Sequence, residues 1–170
     1  MGIIESDMKF IEFSNDQFCH IETTSLYKRF LSFGVKTVEF VLLQNRKGVN
    51  VFVFVEAKKT FPNPKTALSY DEGIEEIALK FIHTIELITA VLTGIHCDDE
   101  NELIIFQGGL KGAKIVLTLV ISNHKDEWLM PVADTLNRRL KAHKKIWNID
   151  KINVMNKESA IEHGLVMSES

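Results

Sequence analysis

Residues 37–58 read TVEFVLLQNRKGVNVFVFVEAK, and this stretch decides the fold. Two runs rich in β-branched and aromatic residues, 37–43 and 49–57, flank the polar segment 44–48. Such residues favour strands, and a short polar segment that ends in Lys-Gly is typical of a hairpin turn. The stretch therefore predicts two antiparallel strands joined by a tight turn.

Charged residues interrupt both predicted strands. Glu56 and Lys58 directly follow the buried run VFVFV, where a charge is costly unless a partner receives it. If the turn is a two-residue loop at Lys47-Gly48, Arg46 pairs with Val49 and Glu39 lies directly opposite Glu56. A four-residue loop makes the two glutamates diagonal on one face, whereas a bulge at Gly48 breaks this alternation.

Two interpretations of this pair stay open. Like charges that face each other across a sheet destabilise it, and a cation between them removes the repulsion. Two carboxylates with a few waters suit Mg²⁺. The alternative is a structural ion pair, either Glu39 with Lys58 or Glu56 with Lys36.

The rest of the chain alternates strands and helices. Short strands are predicted over residues 8–13 and 18–22, joined by a turn at 14–16, with a short strand over 103–106. Further strands are predicted over 114–122, which is apolar on both faces, and 151–155. Helices are predicted from a cap at Thr23, Thr24 or Ser25 to about 31, over 74–92, from Pro131 to about 143, and over 158–163 with Asn156 as cap. The fold class is therefore α/β, a mixed central sheet flanked by helices.

Glu39, a hairpin, then Glu56-Ala57-Lys58, followed by a helix and a central strand, resembles the PD-(D/E)xK phosphodiesterase superfamily. This resemblance covers about residues 23–122 and implies a restriction-endonuclease-like core, a single nuclease-like domain over residues 1–170. It implies that Glu39 and Glu56 bind Mg²⁺ (or Mn²⁺), that Ala57 offers its carbonyl, and that Lys58 positions the attacking water.

Two further residues follow from the same resemblance. Members of the superfamily often carry another glutamate upstream, for which Glu22 is chosen over Glu5 and Glu12. Lys80 occupies the helix position where many members place Gln or Lys near the site, although a solvated lysine on the flank of the helix is the simpler interpretation. The expected function is a Mg²⁺-dependent nuclease that cleaves DNA or, as second choice, RNA.

The sequence departs from the superfamily at its first acidic position. That position is usually Asp preceded by Pro, whereas here Glu39 follows Val38. The additional methylene moves the carboxylate by roughly an ångström, a displacement on the scale at which catalytic geometry is lost. The alternative function is accordingly a catalytically inactive nuclease-fold module that binds a protein or nucleic-acid partner.

Charge is unevenly distributed. The net charge of −3 argues against a protein that coats nucleic acid, yet residues 138–151 contain six Lys or Arg and one acid. Such a face can guide a phosphate backbone, or it can be a solvated helix face. The candidate nucleic-acid contacts are Arg138, Arg139, Lys141 and Lys80.

Location and assembly are the last expectations. The two cysteines, Cys19 and Cys97, are too few for a disulfide framework, and the polar N-terminus is unlike a secretory signal. Gly2 and Ser6 match the short N-myristoylation pattern, but no polybasic segment supplies a second anchor. We therefore expect a cytoplasmic protein with no membrane association, and the sequence leaves a homodimer open.

Overall fold

The computed structural model describes residues 3–168, so the lipidation pattern that begins at Gly2 lies partly outside the described residues. The strands are β1 (Ile4–Glu5), β2 (Met8–Lys9), β3 (Phe18–Cys19), β4 (Phe40–Arg46), β5 (Val49–Lys58), β6 (Lys114–Ile121) and β7 (Ile149–Asn156). The helices are α1 (Ser25–Phe30), α2 (Ala67–Leu92), α3 (Asp126–Arg139), α4 (Lys141–Ile146) and α5 (Lys157–Glu162). Three short 3-10 turns cover Ile21–Thr23, Leu31–Phe33 and Ile104–Phe106.

The main sheet has five strands in the order β3-β4-β5-β6-β7. β4 pairs antiparallel with β3 and β5, whereas β6 pairs parallel with β5 and β7. The predicted α/β class, a mixed sheet flanked by helices, is thus confirmed. Within residues 3–168, no helix combines the length and apolar character that a bilayer crossing requires.

The hairpin between β4 and β5 turns on two residues. Arg46 pairs with Val49, and the intervening Lys47 and Gly48 have φ angles of 54° and 82°. Positive φ at both central positions matches the tight turn whose twist fits antiparallel strands. The two-residue loop is therefore confirmed, and with it the register that the site depends on.

Alternating side chains of the sheet contribute to two apolar cores. On one face, Phe52 and Phe54 pack in a cluster with Phe81 of α2 and Leu136 of α3. On the other face, β5 contributes to a cluster that contains Met8, Phe10 and Ala160 of α5. β6 supplies residues to both clusters, as its continuous apolar sequence predicts. The face that carries α2 is also the face onto which Glu56 projects.

Two predicted helix starts were wrong. α2 begins at Ala67 rather than at 74. The prediction missed its first turns because they carry exposed residues such as Leu68 and no apolar pattern. α3 begins at Asp126, so Pro131 lies inside it rather than in its first turn. Acidic residues at positions 126 and 127 favour a helix N-terminus there. The helix predicted to run to 143 is interrupted at Leu140, where α3 gives way to α4.

Three predictions for short segments were also wrong. Residues 103–106 contain a 3-10 turn rather than a strand. The strands predicted over 8–13 and 18–22 are both shorter, Met8–Lys9 and Phe18–Cys19, and they pair with β1 and β4 respectively. By contrast, Asn156 caps α5 as predicted, and Thr24, one of the three predicted candidates, caps α1.

Candidate functional site

The strand predicted over residues 37–43 begins only at Phe40, so Glu39 lies one residue beyond the β4–β5 ladder rather than paired within it. The β4–β5 ladder ends at the Phe40–Val55 pair, and the next positions in this register are Glu39 and Glu56. Beyond the ladder, the backbone N–H of Val38 donates a hydrogen bond to Oγ1 of Thr84 at 3.0 Å. Glu56 has no exposed surface and Glu39 is 6% exposed. Both carboxylates are thus buried just beyond the point where the strands stop pairing.

Lys80 of α2 lies between these carboxylates. Its Nζ is 2.8 Å from Glu56 Oε1 and 3.1 Å from Glu56 Oε2, to which it donates a hydrogen bond. The same Nζ is 3.8 Å from Glu39 Oε1. The interpretation of Lys80 as a solvated flank residue was wrong, because the residue is only 9% exposed. Its spacing from the buried Ile77 and Thr84, three and four residues away, is the signal that places it on the sheet-facing side.

Glu22 joins the cluster from the N-terminal side. It sits in the 3-10 turn Ile21–Thr23, just ahead of the Thr24 cap that starts α1. Its Oε1 accepts a hydrogen bond from Lys80 Nζ at 3.3 Å. Among the three upstream glutamates that were considered, Glu22 is therefore the one that contacts Lys80.

Lys58 lies at the edge of the cluster and is shared between two acids. Its Nζ is 3.5 Å from Glu56 Oε1 and donates to Glu76 Oε1 at 2.8 Å. The side chain of Lys58 is 29% exposed, so it reaches the surface. The sequence interpretation missed Glu76, which belongs to α2 and meets Lys58 only in the folded chain. Neither of the two predicted alternative pairs, Glu39–Lys58 or Glu56–Lys36, is among the salt bridges of residues 3–168; Lys80 pairs with both glutamates instead.

The protonation of the glutamates reflects this crowding. Burial, with the charges of Glu56 and Glu22, raises the pKa of Glu39 to about 8. Burial raises the pKa of Glu56 to about 7 although Lys80 opposes the shift. Burial alone would lower the pKa of Lys80, but the charge and hydrogen bond of Glu56, with Glu22 and Glu39, raise it overall. Burial and mutual repulsion thus favour the protonated form of both carboxyls, against the pull of the Lys80 ammonium.

The cluster contains the ligand type that a hard cation takes, carboxylate oxygen. Glu56 Oε1 is buried and accepts no hydrogen bond of good geometry, even though two ammonium groups are nearby. Carboxylate oxygens are the ligands that Mg²⁺ prefers, and the Ala57 carbonyl lies in the adjacent peptide of β5. However, no group of three or more His, Cys, Asp or Glu within residues 3–168 is arranged as a metal site, and the cation nearest these oxygens is Lys80.

The predicted nucleic-acid contacts do not form one group. Arg139 makes two hydrogen bonds to Glu75 of α2, at 2.5 and 2.6 Å. Arg138 is exposed and donates to Oγ1 of Thr135, while Lys141 is exposed at the start of α4. Lys80, in contrast, is buried among the glutamates. The exposed basic residues therefore belong to α3 and α4, separate from the carboxylate cluster.

In comparisons with known proteins, no family model, no curated protein and no solved structure matches this chain. The resemblance to the PD-(D/E)xK superfamily therefore stays a prediction that rests on the residues themselves.

Proposed function

We propose that this chain is a metal-dependent phosphodiesterase that cleaves DNA or, as second choice, RNA, and that its sheet is a restriction-endonuclease-like core. The observation that supports the proposal is the convergence of Glu39 and Glu56 on one ammonium, Nζ of Lys80, at 3.8 Å and 2.8 Å, next to the end of the β4–β5 ladder. Two buried acids that repel each other lower the stability of the fold, and a site for a cation is a physical reason to retain them.

Each residue has a distinct role in this proposal. Glu39 and Glu56, with Glu22 and the Ala57 carbonyl, would hold Mg²⁺ or Mn²⁺. The bound ion would supply positive charge to the phosphate and lower the pKa of a coordinated water. Lys58 has the reach to orient that water and to stabilise developing negative charge, because its ammonium lies beside Glu56 yet is partly exposed. Glu76 keeps that ammonium in place through its hydrogen bond.

The proposed partner of the basic residues on α3 and α4 is nucleic acid. Arg138, Arg139 and Lys141 present positive charge on α3 and α4, and lysine and arginine bind phosphate oxygens through such exposed groups. Glu75 partly neutralises Arg139, so Arg138 and Lys141 would contribute more to backbone binding. We extend the proposal to Arg138 and Lys141 as phosphate contacts outside the cleavage centre.

A second candidate function is a binding module without catalysis. The specific observation in its favour is Lys80, whose ammonium already supplies a cation to Glu56 and Glu39. In addition, Glu39 is one methylene longer than the Asp usual at this position. If Lys80 stays paired with Glu56 and Glu39 under all conditions, the cluster has only a structural role. The basic residues of α3 and α4 would then form the surface through which the protein binds its partner.

Cleavage assays separate these two functions. Wild-type protein would be incubated with plasmid, single-stranded DNA and RNA in Mg²⁺, Mn²⁺ or EDTA. We expect cleavage that requires metal and that disappears in Glu56→Gln and Lys58→Met. The matched controls are Glu86→Gln, an exposed acid of α2, and Lys59→Met, the exposed neighbour of Lys58 that pairs with Asp7. Cleavage that survives in both site variants, or is absent from the wild type in every condition, overturns the nuclease proposal.

A further inference from the structure

We propose that the Lys80 ammonium and a divalent cation compete for one position among Glu22, Glu39 and Glu56, so that metal binding expels Lys80. This inference rests on the proposed function, since it names what controls metal binding at the same site. It assigns Lys80 a role distinct from substrate binding: Lys80 sets the affinity of the site for metal.

The distances require such a competition. Nζ of Lys80 lies within 2.8–3.8 Å of oxygens from all three glutamates. A Mg²⁺ ion bound by the same oxygens would sit about 2.0–2.1 Å from each ligand atom, inside the same space. An ammonium group has three donors and no lone pair, so it cannot become a ligand of the ion. The two cations therefore exclude each other.

The charges indicate which cation the carboxylates favour. Glu22, Glu39 and Glu56 share Lys80, while Lys58 is divided between Glu56 and Glu76. When all three acids are ionised, one full ammonium leaves the cluster short of positive charge. A divalent ion supplies twice the charge in a smaller volume. Its binding strength is then reduced by whatever free energy the displaced Lys80 contacts contributed.

Lys80 also has a route out of the cluster. Its side chain is 11% exposed, so part of it already reaches solvent. A lysine stem has four flexible carbons and carries a strongly hydrated ammonium, which lowers the cost of moving the group to water. Lys58 is the matched lysine for comparison with Lys80. It contacts a single oxygen of Glu56 at 3.5 Å, and its hydrogen bond to Glu76 holds it outside the space among Glu22, Glu39 and Glu56. Removal of Lys58 should not open the central position.

The test measures Mn²⁺ binding rather than cleavage. Free Mn²⁺ would be followed by electron paramagnetic resonance during titration of wild type, Lys80→Met, Lys80→Gln and Lys58→Met at one pH and ionic strength. We expect both Lys80 variants to bind Mn²⁺ about tenfold more tightly than wild type, or better, and Lys58→Met to differ from wild type by much less. If Lys80→Met unfolds in EDTA, Mn²⁺ should restore its circular dichroism spectrum, and Lys80→Gln then provides the affinity.

The outcomes separate this inference from the nuclease proposal. Equal or weaker Mn²⁺ binding by the Lys80 variants, with a wild type that binds, overturns the competition and leaves the metal site in place. No binding by wild type or variants overturns both. As a second readout, reductive methylation followed by mass spectrometry should modify Lys80 faster when Mn²⁺ is present, with Lys59 as the internal control. Unchanged or slower modification of Lys80 in saturating Mn²⁺ contradicts its expulsion.

Discussion

The Lys80 ammonium lies 2.8 Å from Oε1 of Glu56, a carboxylate with no exposed surface. Burial of an ion pair is costly, and removal of one partner leaves an uncompensated charge. Glu39 and Glu22 approach the same ammonium and add carboxylate–carboxylate repulsion to this cost. The buried charges of the cluster therefore lower the free energy of unfolding, as is common at functional sites. They also predict how stability responds to pH and to substitution.

Glu39→Gln should make the protein more stable at alkaline pH. The folded state raises the pKa of Glu39 from 4.5 to about 8, so the folded chain holds this proton more tightly than the unfolded chain. Its stabilising contribution is complete below pH 4.5 and is lost as the pH rises through about 8, with a slope of at most ~1.4 kcal/mol per pH unit. Urea unfolding from pH 5 to 9 should show a flatter curve for Glu39→Gln. Parallel curves of unfolding free energy against pH for the wild type and Glu39→Gln would show that folding does not raise the pKa of Glu39.

His124→Phe should reduce sensitivity to mild acid. His124 is 8% exposed, lies between the rings of Phe61 and Trp128, and has no hydrogen bond at either ring nitrogen. Burial lowers the pKa of His124 below 6.5, so the unfolded chain binds the proton more readily and stability falls as the pH drops through about 6.5. In thermal unfolding, the decrease in Tm from pH 7 to pH 5 should therefore be smaller for His124→Phe than for the wild type. An identical loss contradicts this explanation.

Lys47→Asn should stabilise the hairpin that sets the register of the site. Lys47 has a φ of 54°, a conformation that disfavours most side chains and that Asn tolerates. With Gly48 it would form the Asn-Gly pair preferred in such turns. We expect a gain of ~1 kcal/mol in the free energy of unfolding, measured by urea denaturation. The control, Gly48→Ala, should destabilise because its φ is 82°, although a Cβ there meets no atom within 4 Å.

Glu76→Gln should slow cleavage without weakening metal binding. Glu76 accepts a hydrogen bond from Lys58 and contacts none of the oxygens around Lys80, so it is a positioning residue. The neutral side chain would hold the Lys58 ammonium less firmly, and kcat should fall by about tenfold, less than the loss of roughly 100-fold or more expected when an acid–base group is itself removed. Mn²⁺ titration is the control, and a loss of affinity equal to the loss of kcat would mean that Glu76 acts on the metal instead.

The sequence was most informative where interactions are local. Lys47-Gly48 determines the turn, the turn determines the register, and the register predicts Glu39 opposite Glu56 before any tertiary contact is known. Thr24 and Asn156 cap their helices for equally local reasons.

The errors arose where the deciding partner is distant in the chain. Lys80 and Glu76 enter the site only because α2 packs on the face of the sheet that carries Glu56 and Lys58. The N-terminal strands pair with segments that their own pattern does not identify, as in the bridge between Phe10 and Val166. Hydrophobic spacing reveals which face of an element is buried but not which element covers it.

The most direct measurement is anomalous diffraction from a crystal soaked in Mn²⁺. The central claim predicts a single strong peak within coordination distance of both Glu39 and Glu56, with the Lys80 side chain moved away from that point. A crystal with no peak there, and with Lys80 still bonded to Glu56 at saturating Mn²⁺, would contradict the claim.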